Sequence, residues 1–336
     1  MAGYLRGIAR SLVLGGVAVM AMLGAQSESR ADTLRGAMAD AYANSPVFEQ
    51  QLYLLRVEDE GVAQAVAQLR PTLNFVLEAN RRFTSTTAST TATASLVAEW
   101  VLYEGGSRQL AVEAAREVVL AARAGLESVE QQVLLDAVTA YLNVWRDIQV
   151  VNVRESNVRV VTQQLRAARD RFEVGEDTRT DVAQAEARLA EARSALAAAR
   201  GQLEISRELF ALAIGRHPGS LSGPGAVPGL PRTEAEASAL ARQNAPSILQ
   251  LQHEVTAADL AVQGARAAYG PTITLGGRLQ DAFESTDPRV PEEEGASLSL
   301  TLTQPIYQGG RLDSAQRQAM ANAESVRAEL LQTSLT

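Results

Sequence analysis

The sequence predicts a mainly α-helical chain that also carries four β-strands of membrane-spanning length. Three observations predict it. No proline interrupts the stretch from Gly106 to Phe172, and Val144, Val151, Val158, Leu165 and Phe172 recur within it every seven residues. After a short polar turn the period resumes with Val182, Leu189, Leu196, Leu203 and Phe210. The third is a short strand written twice, as "LRPTLNF" at residues 69–75 and "YGPTITL" at residues 269–275, with Pro71 and Pro271 standing 200 positions apart.

The duplication extends beyond the strands. "AYANSP" ends at Pro46 and "ARQNAP" at Pro246, again 200 apart. "LYEGGSR" sets Tyr103, Gly105 and Gly106 against Tyr307, Gly309 and Gly310 of "IYQGGRL", now 204 apart, which four extra loop residues explain. Each copy therefore reads helix, strand, polar loop, strand, Gly-Gly, helix. The first repeat covers 32–215, with a strand pair at 71–83 and 95–103. A Gly- and Pro-rich linker at 216–232 carries no legible chemistry, and the second repeat covers 233–336, with strands at 271–283 and 297–307 and the start of a long helix.

The strands alternate in character. Leu73, Phe75, Leu77 and Ala79 share one face and Thr72, Asn74, Glu78 and Asn80 the other. Ile273, Leu275, Leu279 and Phe283 oppose Thr272, Thr274, Arg278 and Gln280, and Leu298, Leu300 and Leu302 oppose Ser297, Ser299, Thr301 and Thr303. In the remaining strand Leu96, Ala98, Trp100 and Leu102 oppose Ser95, Glu99 and Tyr103. The joining segments at 84–94 and 284–295 read as water-exposed hairpin tips. A soluble sheet packed on helices would also alternate. Length favours the membrane, because a tilted spanning strand needs ~9–11 residues. Four strands do not close a barrel and lipid tolerates no open edge, so a membrane reading requires an oligomer.

The helices form an antiparallel coiled-coil hairpin. The second has two seam rows, the large one above and a small one of Ala185, Ala192, Ala199, Ser206 and Ala213, so its neighbour can approach closely. Glu186, Arg188, Glu191 and Arg193 leave a solvated face, and "VGEDTRTD" at 174–181 is the tip.

Composition narrows the classes of function. Hydrophobic residues make up 46% but aromatics only 4%, which suits close helix packing. The net charge of -8, with acidic and basic residues interleaved, excludes a nucleic-acid partner. Arg6 and Arg10, the apolar run Leu12 to Leu23 and the small residues Ser29 and Ala31 read as a secretory signal peptide over 1–31, leaving Asp32 first. No cysteine is present, so there is neither a disulfide nor a lipidated Cys. His217 and His253 have no ligand-spaced partners and the Gly-Gly pairs lack a phosphate-cradling context. The expectation is no enzyme, no catalytic residue, no metal and no cofactor.

Taken together, "AYANSP", "RPTL", "PIYQGGR" and the tip motif "FEVGEDTRTDVAQAEARLAEA" resemble the TolC family of outer-membrane efflux proteins. The resemblance covers the mature chain in order. It implies a homotrimer in which each chain gives four strands to a twelve-stranded barrel in outer-membrane lipid, continued by an α-helical tunnel across the periplasm. It implies a passive duct for efflux or type I secretion that meets a periplasmic adaptor and, through it, an inner-membrane pump or ABC transporter. By motif, Val174, Gly175, Glu176 and Thr178 would dock the adaptor and Asp181 would hold the closed end of the tunnel. The 204 offset places a second tip beyond Thr336, so the second repeat reads as incomplete. Two alternatives stand beside the duct: a soluble periplasmic coiled-coil adaptor, and a truncated, non-functional duct fragment.

Overall fold

A computed structural model describes residues 32–83, 88–225, 229–285 and 294–335. The elements are, in order, α1 (Leu34–Asn44), α2 (Pro46–Ala67), β1 (Thr72–Phe83), β2 (Ala88–Glu104), α3 (Ser107–Glu173), α4 (Arg179–Ile214), α5 (Glu234–Asn244), α6 (Pro246–Ala267), β3 (Thr272–Ser285), β4 (Gly295–Thr303) and α7 (Arg311–Leu335). The signal-peptide segment lies outside the described residues. Two compact units emerge, one holding the chain up to Ser45 with Leu134–Val227, the other Pro46–Val133 with Pro228–Thr336. These units cut across the repeats: the first repeat is shared between them.

In the first unit, α4 lies against the later part of α3 along the seven-residue seam. Val144 and Leu165 of α3 are buried, as are Leu189, Leu203 and Phe210 in the large row of α4 and Ala192 and Ser206 in the small row. The remaining seam positions are half-buried, except Phe172, next to the tip, which is exposed. Tyr141 packs on Phe210 with ring centroids 6.4 Å apart. Thr33 starts α1 by accepting the Gly36 N–H at 3.1 Å.

α1 hands over to α2, and in the second unit α5 to α6, at a proline. The residue before proline is driven out of the helical region, and Ser45 (ψ 112°) and Ala245 (ψ 120°) both sit in extended conformation. Val112, Val119, Ala121 and Ala124 of α3, Ile248 and Leu251 of α6 and Ala323 of α7 supply its core. His253 Nδ1 lies 2.7 Å from Glu117 Oε2, and Arg327 donates to Asp259 at 2.6 Å. The strand roots are pinned from below: Trp100 Nε1 donates to the Leu69 carbonyl at 3.0 Å, and the Arg108 guanidinium to that of Gln68. At Gly105 (φ +60°) the chain passes so close to α6 that a Cβ would stand 2.5 Å from the Ala267 carbonyl oxygen.

The four strands form one antiparallel sheet in the order β1-β2-β3-β4. Its register lines up one apolar face: Leu73 opposite Ala98, Phe75 opposite Leu96, Leu96 opposite Leu279, Trp100 opposite Leu275, and Gly277, Leu275 and Ile273 opposite Leu298, Leu300 and Leu302. Three sequence expectations are corrected here. β2 begins at Ala88, because the Thr/Ala/Ser stretch read as a loop pairs with β1 as far as Phe83. β4 ends at Thr303 rather than 307, since Pro305 has no N–H to donate to a ladder and Ile306 and Tyr307 lie beyond it. A register shift between Val101 and Tyr103 leaves Leu102 as the extra residue, so Tyr103 pairs with Ile273 and joins the apolar face instead of the polar one.

Candidate functional site

The hairpin tip is built by two consecutive stop and start signals. At the end of α3 the Glu176 N–H reaches back to the Arg171 carbonyl (2.9 Å) and the Gly175 N–H to that of Phe172 (3.0 Å). This pair of bonds requires a left-handed residue between them, and Gly175 supplies it at φ +83°. The Arg171 guanidinium closes the turn on Asp177 at 2.9 Å. Thr178 then opens α4 with a reciprocal cap: its hydroxyl accepts the Asp181 N–H at 3.3 Å, and the Asp181 carboxylate accepts the Thr178 N–H at 3.0 Å and the Thr178 hydroxyl at 2.6 Å. These bonds from Thr178, hydroxyl first, and then Arg171 nearby, hold the Asp181 carboxyl below its ordinary range.

The structure brings all five sequence-predicted tip residues into this one turn. Val174 is 73% exposed, and Gly175, Glu176 and Thr178 are exposed with it. Such a turn offers a partner an apolar side chain beside a carboxylate on a rigid backbone. Asp181 is committed to the cap of its own helix.

The sequence reading missed a buried carboxylate in the hairpin seam. Asp147 of α3 is 4% exposed, and it accepts the Arg146 Nε–H at 2.8 Å and the Ser206 hydroxyl at 2.6 Å. The Arg146 guanidinium holds its carboxyl below the ordinary range, burial works against this, and Ser206 adds to the lowering. Ser206 thus does more than keep the small row small. It also missed chemistry in the linker, where Arg216 donates to both Asp32 and Asp40.

The sheet is the other candidate. Its apolar side chains have no cover within the described chain: Trp100 is 41% exposed, Phe75 68% and Leu298 80%. Thr72, Asn74, Glu78, Ser95, Glu99, Arg278, Ser297 and Thr301 alternate with them and occupy the opposite face. β1 and β4 are edge strands, each with one unpaired side. The sheet can therefore separate an apolar medium from water once its edges are paired. Among the described residues no helix is long and apolar enough to cross a membrane.

Comparison with known proteins identifies the family and the fold. The sequence profile of the outer membrane efflux protein family matches residues 37–216 and 237–336. The chain is 34% identical over 302 residues to the outer membrane efflux protein BepC of Brucella suis, covering 89% of this chain and 66% of that protein. It is 28% identical over 216 residues to the protein CyaE of Bordetella pertussis, covering 62% of this chain and 46% of that one. It thus spans less than two thirds of the length of both relatives. The fold is similar to that of the Campylobacter jejuni CmeC outer membrane channel, with a TM-score of 0.78 at 16% identity over 89% of this chain and 67% of that chain.

Proposed function

The chain belongs to the outer membrane efflux protein family, and from that premise we propose that it is the outer-membrane duct of a tripartite efflux or type I secretion system. One observation supports this above the rest: a four-stranded sheet with an apolar face, a polar face and two open edges. Lipid leaves no backbone group unpaired, so the edges must be joined. Three copies, β1 of each against β4 of the next, make a twelve-stranded barrel with the hydroxyl- and amide-rich face lining a water-filled lumen. Substrate passes by diffusion, and no residue is asked to react with it. Family membership sets aside the soluble-adaptor alternative.

The experiment is conductance in planar bilayers with detergent-extracted protein purified from outer membranes. Discrete channel openings from a species of three chains are the expected result. An inserted monomer, or inserted protein without conductance, would overturn the reading.

The hairpin tip extends this proposal. Val174, Gly175, Glu176 and Thr178 form the surface that meets a periplasmic adaptor, itself bound to an inner-membrane pump or ABC transporter. Asp181, by rigidifying the start of α4, holds the closed end of the helical tunnel. Gly175→Trp forces a bulky L-residue into φ +83°, a region disfavoured by ~1–2 kcal/mol. Open space surrounds the position, so the damage stays in the turn. The variant is expected to bind the cognate adaptor at least about tenfold more weakly, each tenfold being ~1.4 kcal/mol, while remaining as fully assembled as the parent. Equal affinity in a titration by surface plasmon resonance would remove the assignment.

A further inference from the structure

We propose that Arg81 binds a lipid phosphate at the outer surface of the membrane, and that the sheet holds it at the height where hydrocarbon ends. The inference deepens the duct reading and rests on it. Along β1 the apolar row runs Leu73, Phe75, Leu77 and Ala79, and the next member of the row is Arg81, opposite Thr90 of β2. Arg81 is exposed there. A guanidinium on the lipid side of a barrel is costly at the middle of the bilayer and nearly free at its surface. Height therefore decides whether Arg81 is a defect or a ligand.

The sheet supplies the height. At the end near α2 and α3 the apolar face closes with Trp100 and Tyr103, 41% and 49% exposed, and the Trp100 Nε1–H is turned to the Leu69 carbonyl at the strand root. Amphipathic rings of this kind mark a membrane surface. Trp100 stands one step below the Thr72–Glu99 pair and Arg81 nine steps above it. Ten steps of strand run ~33 Å at ~3.3 Å each. A tilt of ~40° leaves ~25 Å along the membrane normal, the height of the apolar band of an outer-membrane barrel. Arg81 thus stands at the second surface, on the side away from the helices.

The direction of the side chain agrees with this position. The Arg81 guanidinium lies over the Phe83 ring, 5.1 Å from its centroid, and Phe83 is the next residue of the row toward the hairpin tip. The head group therefore reaches outward along an aromatic face while its methylenes cover the strand. Two carboxylates end the apolar face elsewhere: Asp281 and Glu294 border an open depression floored by Phe75, Leu96 and Leu279. Within one chain they belong to the third and fourth strands, ~10 and ~14 Å across the sheet from β1 at ~4.8 Å per strand. Of these three charged groups, only the planar, permanently charged guanidinium of Arg81 matches a phosphate.

The test uses the full chain extracted from outer membranes in detergent, with EDTA present so that no divalent cation bridges a carboxylate to the lipid. The probe is lipid A with its phosphates intact, titrated against the assembled species and scored by native mass spectrometry as lipid retained. Arg81→Gln is expected to raise the lipid concentration for half-occupancy at least about tenfold, the loss of one charge-assisted hydrogen bond. Arg81→Lys is expected to fall between variant and parent, and Arg278→Gln, on the opposite face, to match the parent. Lipid A stripped of phosphate is expected to bind the parent as weakly as intact lipid A binds Arg81→Gln, and excess inorganic phosphate is expected not to displace the lipid. Equal retention of intact and stripped lipid, full retention by Arg81→Gln, an equal loss in Arg278→Gln, or displacement by inorganic phosphate would overturn the proposal. So would an assembled species that loosens equally in Arg81→Gln and Glu294→Gln with no lipid present, which would assign Arg81 to a carboxylate of the next copy. Conductance of the parent from the same preparation reports on the duct separately: channel openings without phosphate selectivity would remove this inference and leave the duct standing.

Discussion

Leu298→Arg is expected to reduce the protein recovered from outer membranes by ~30-fold or more, while Thr301→Arg, three residues on, leaves it nearly unchanged. Leu298 is 80% exposed and stands opposite Gly277, in the row that continues through Ala98 to Leu73. That row lies near the middle of the apolar face, and an arginine on the lipid face of a barrel near the midplane costs ~2–4 kcal/mol. Thr301 points to the polar face, where water solvates the guanidinium. Quantitative fractionation with heat-modifiable electrophoresis reads both the amount inserted and the assembled species. Equal recovery of the two variants would mean that the apolar face does not meet lipid.

Ser206→Ala is expected to cost ~1–3 kcal/mol of stability, far more than the loss of one oxygen from a surface serine. The reason is Asp147, which would keep its buried charge and lose the hydroxyl bonded at 2.6 Å. Adding Asp147→Leu should recover most of that loss, since replacing both members of a buried polar pair by apolar groups is nearly neutral. Arg146, more than half exposed, returns to water. The two changes are thus strongly non-additive. Because the Asp147 carboxyl is lowered in the fold, its stabilising contribution is complete above the unfolded value of ~3.9 and drains away as the pH falls through the lower folded value. The advantage of the parent over Ser206→Ala should accordingly shrink below about pH 4. Thermal unfolding of the three proteins at neutral and acid pH measures all of this.

The helical hairpin was legible because a seven-residue period leaves its mark on every turn, and the buried positions Val144, Leu165, Leu189, Leu203 and Phe210 follow that mark. The strands were legible for the same reason at a period of two. What escaped lies where backbone or distance decides. The bulge at Leu102 has no letter of its own, because any residue can be the extra one. Ala88 to Ala94 escaped because alternation among Thr, Ser and Ala is too weak in hydrophobicity to register as a strand. Asp147 escaped because a charge in a helix reads as solvated until its partner across the seam is known. The tip residues were recognised as a turn from Gly175, yet the commitment of Asp181 to its own cap follows only from the geometry of Thr178. The pairing of Asp32 with Arg216 joins residues 184 positions apart, beyond the reach of any local pattern.

The number of strands in the sheet also decides how copies can be joined. With four antiparallel strands in chain order, the first and last run in opposite directions. Setting β4 of one copy beside β1 of an identical copy related by rotation therefore continues the antiparallel alternation across the seam. A chain with three or five strands would place two parallel strands at every joint, with slanted and slightly weaker bonds. An even count makes the seam between subunits equivalent to the pairing within one. Until that seam is closed, each chain carries an edge that lipid cannot solvate, so a solitary subunit is kept from puncturing the membrane it is built to cross.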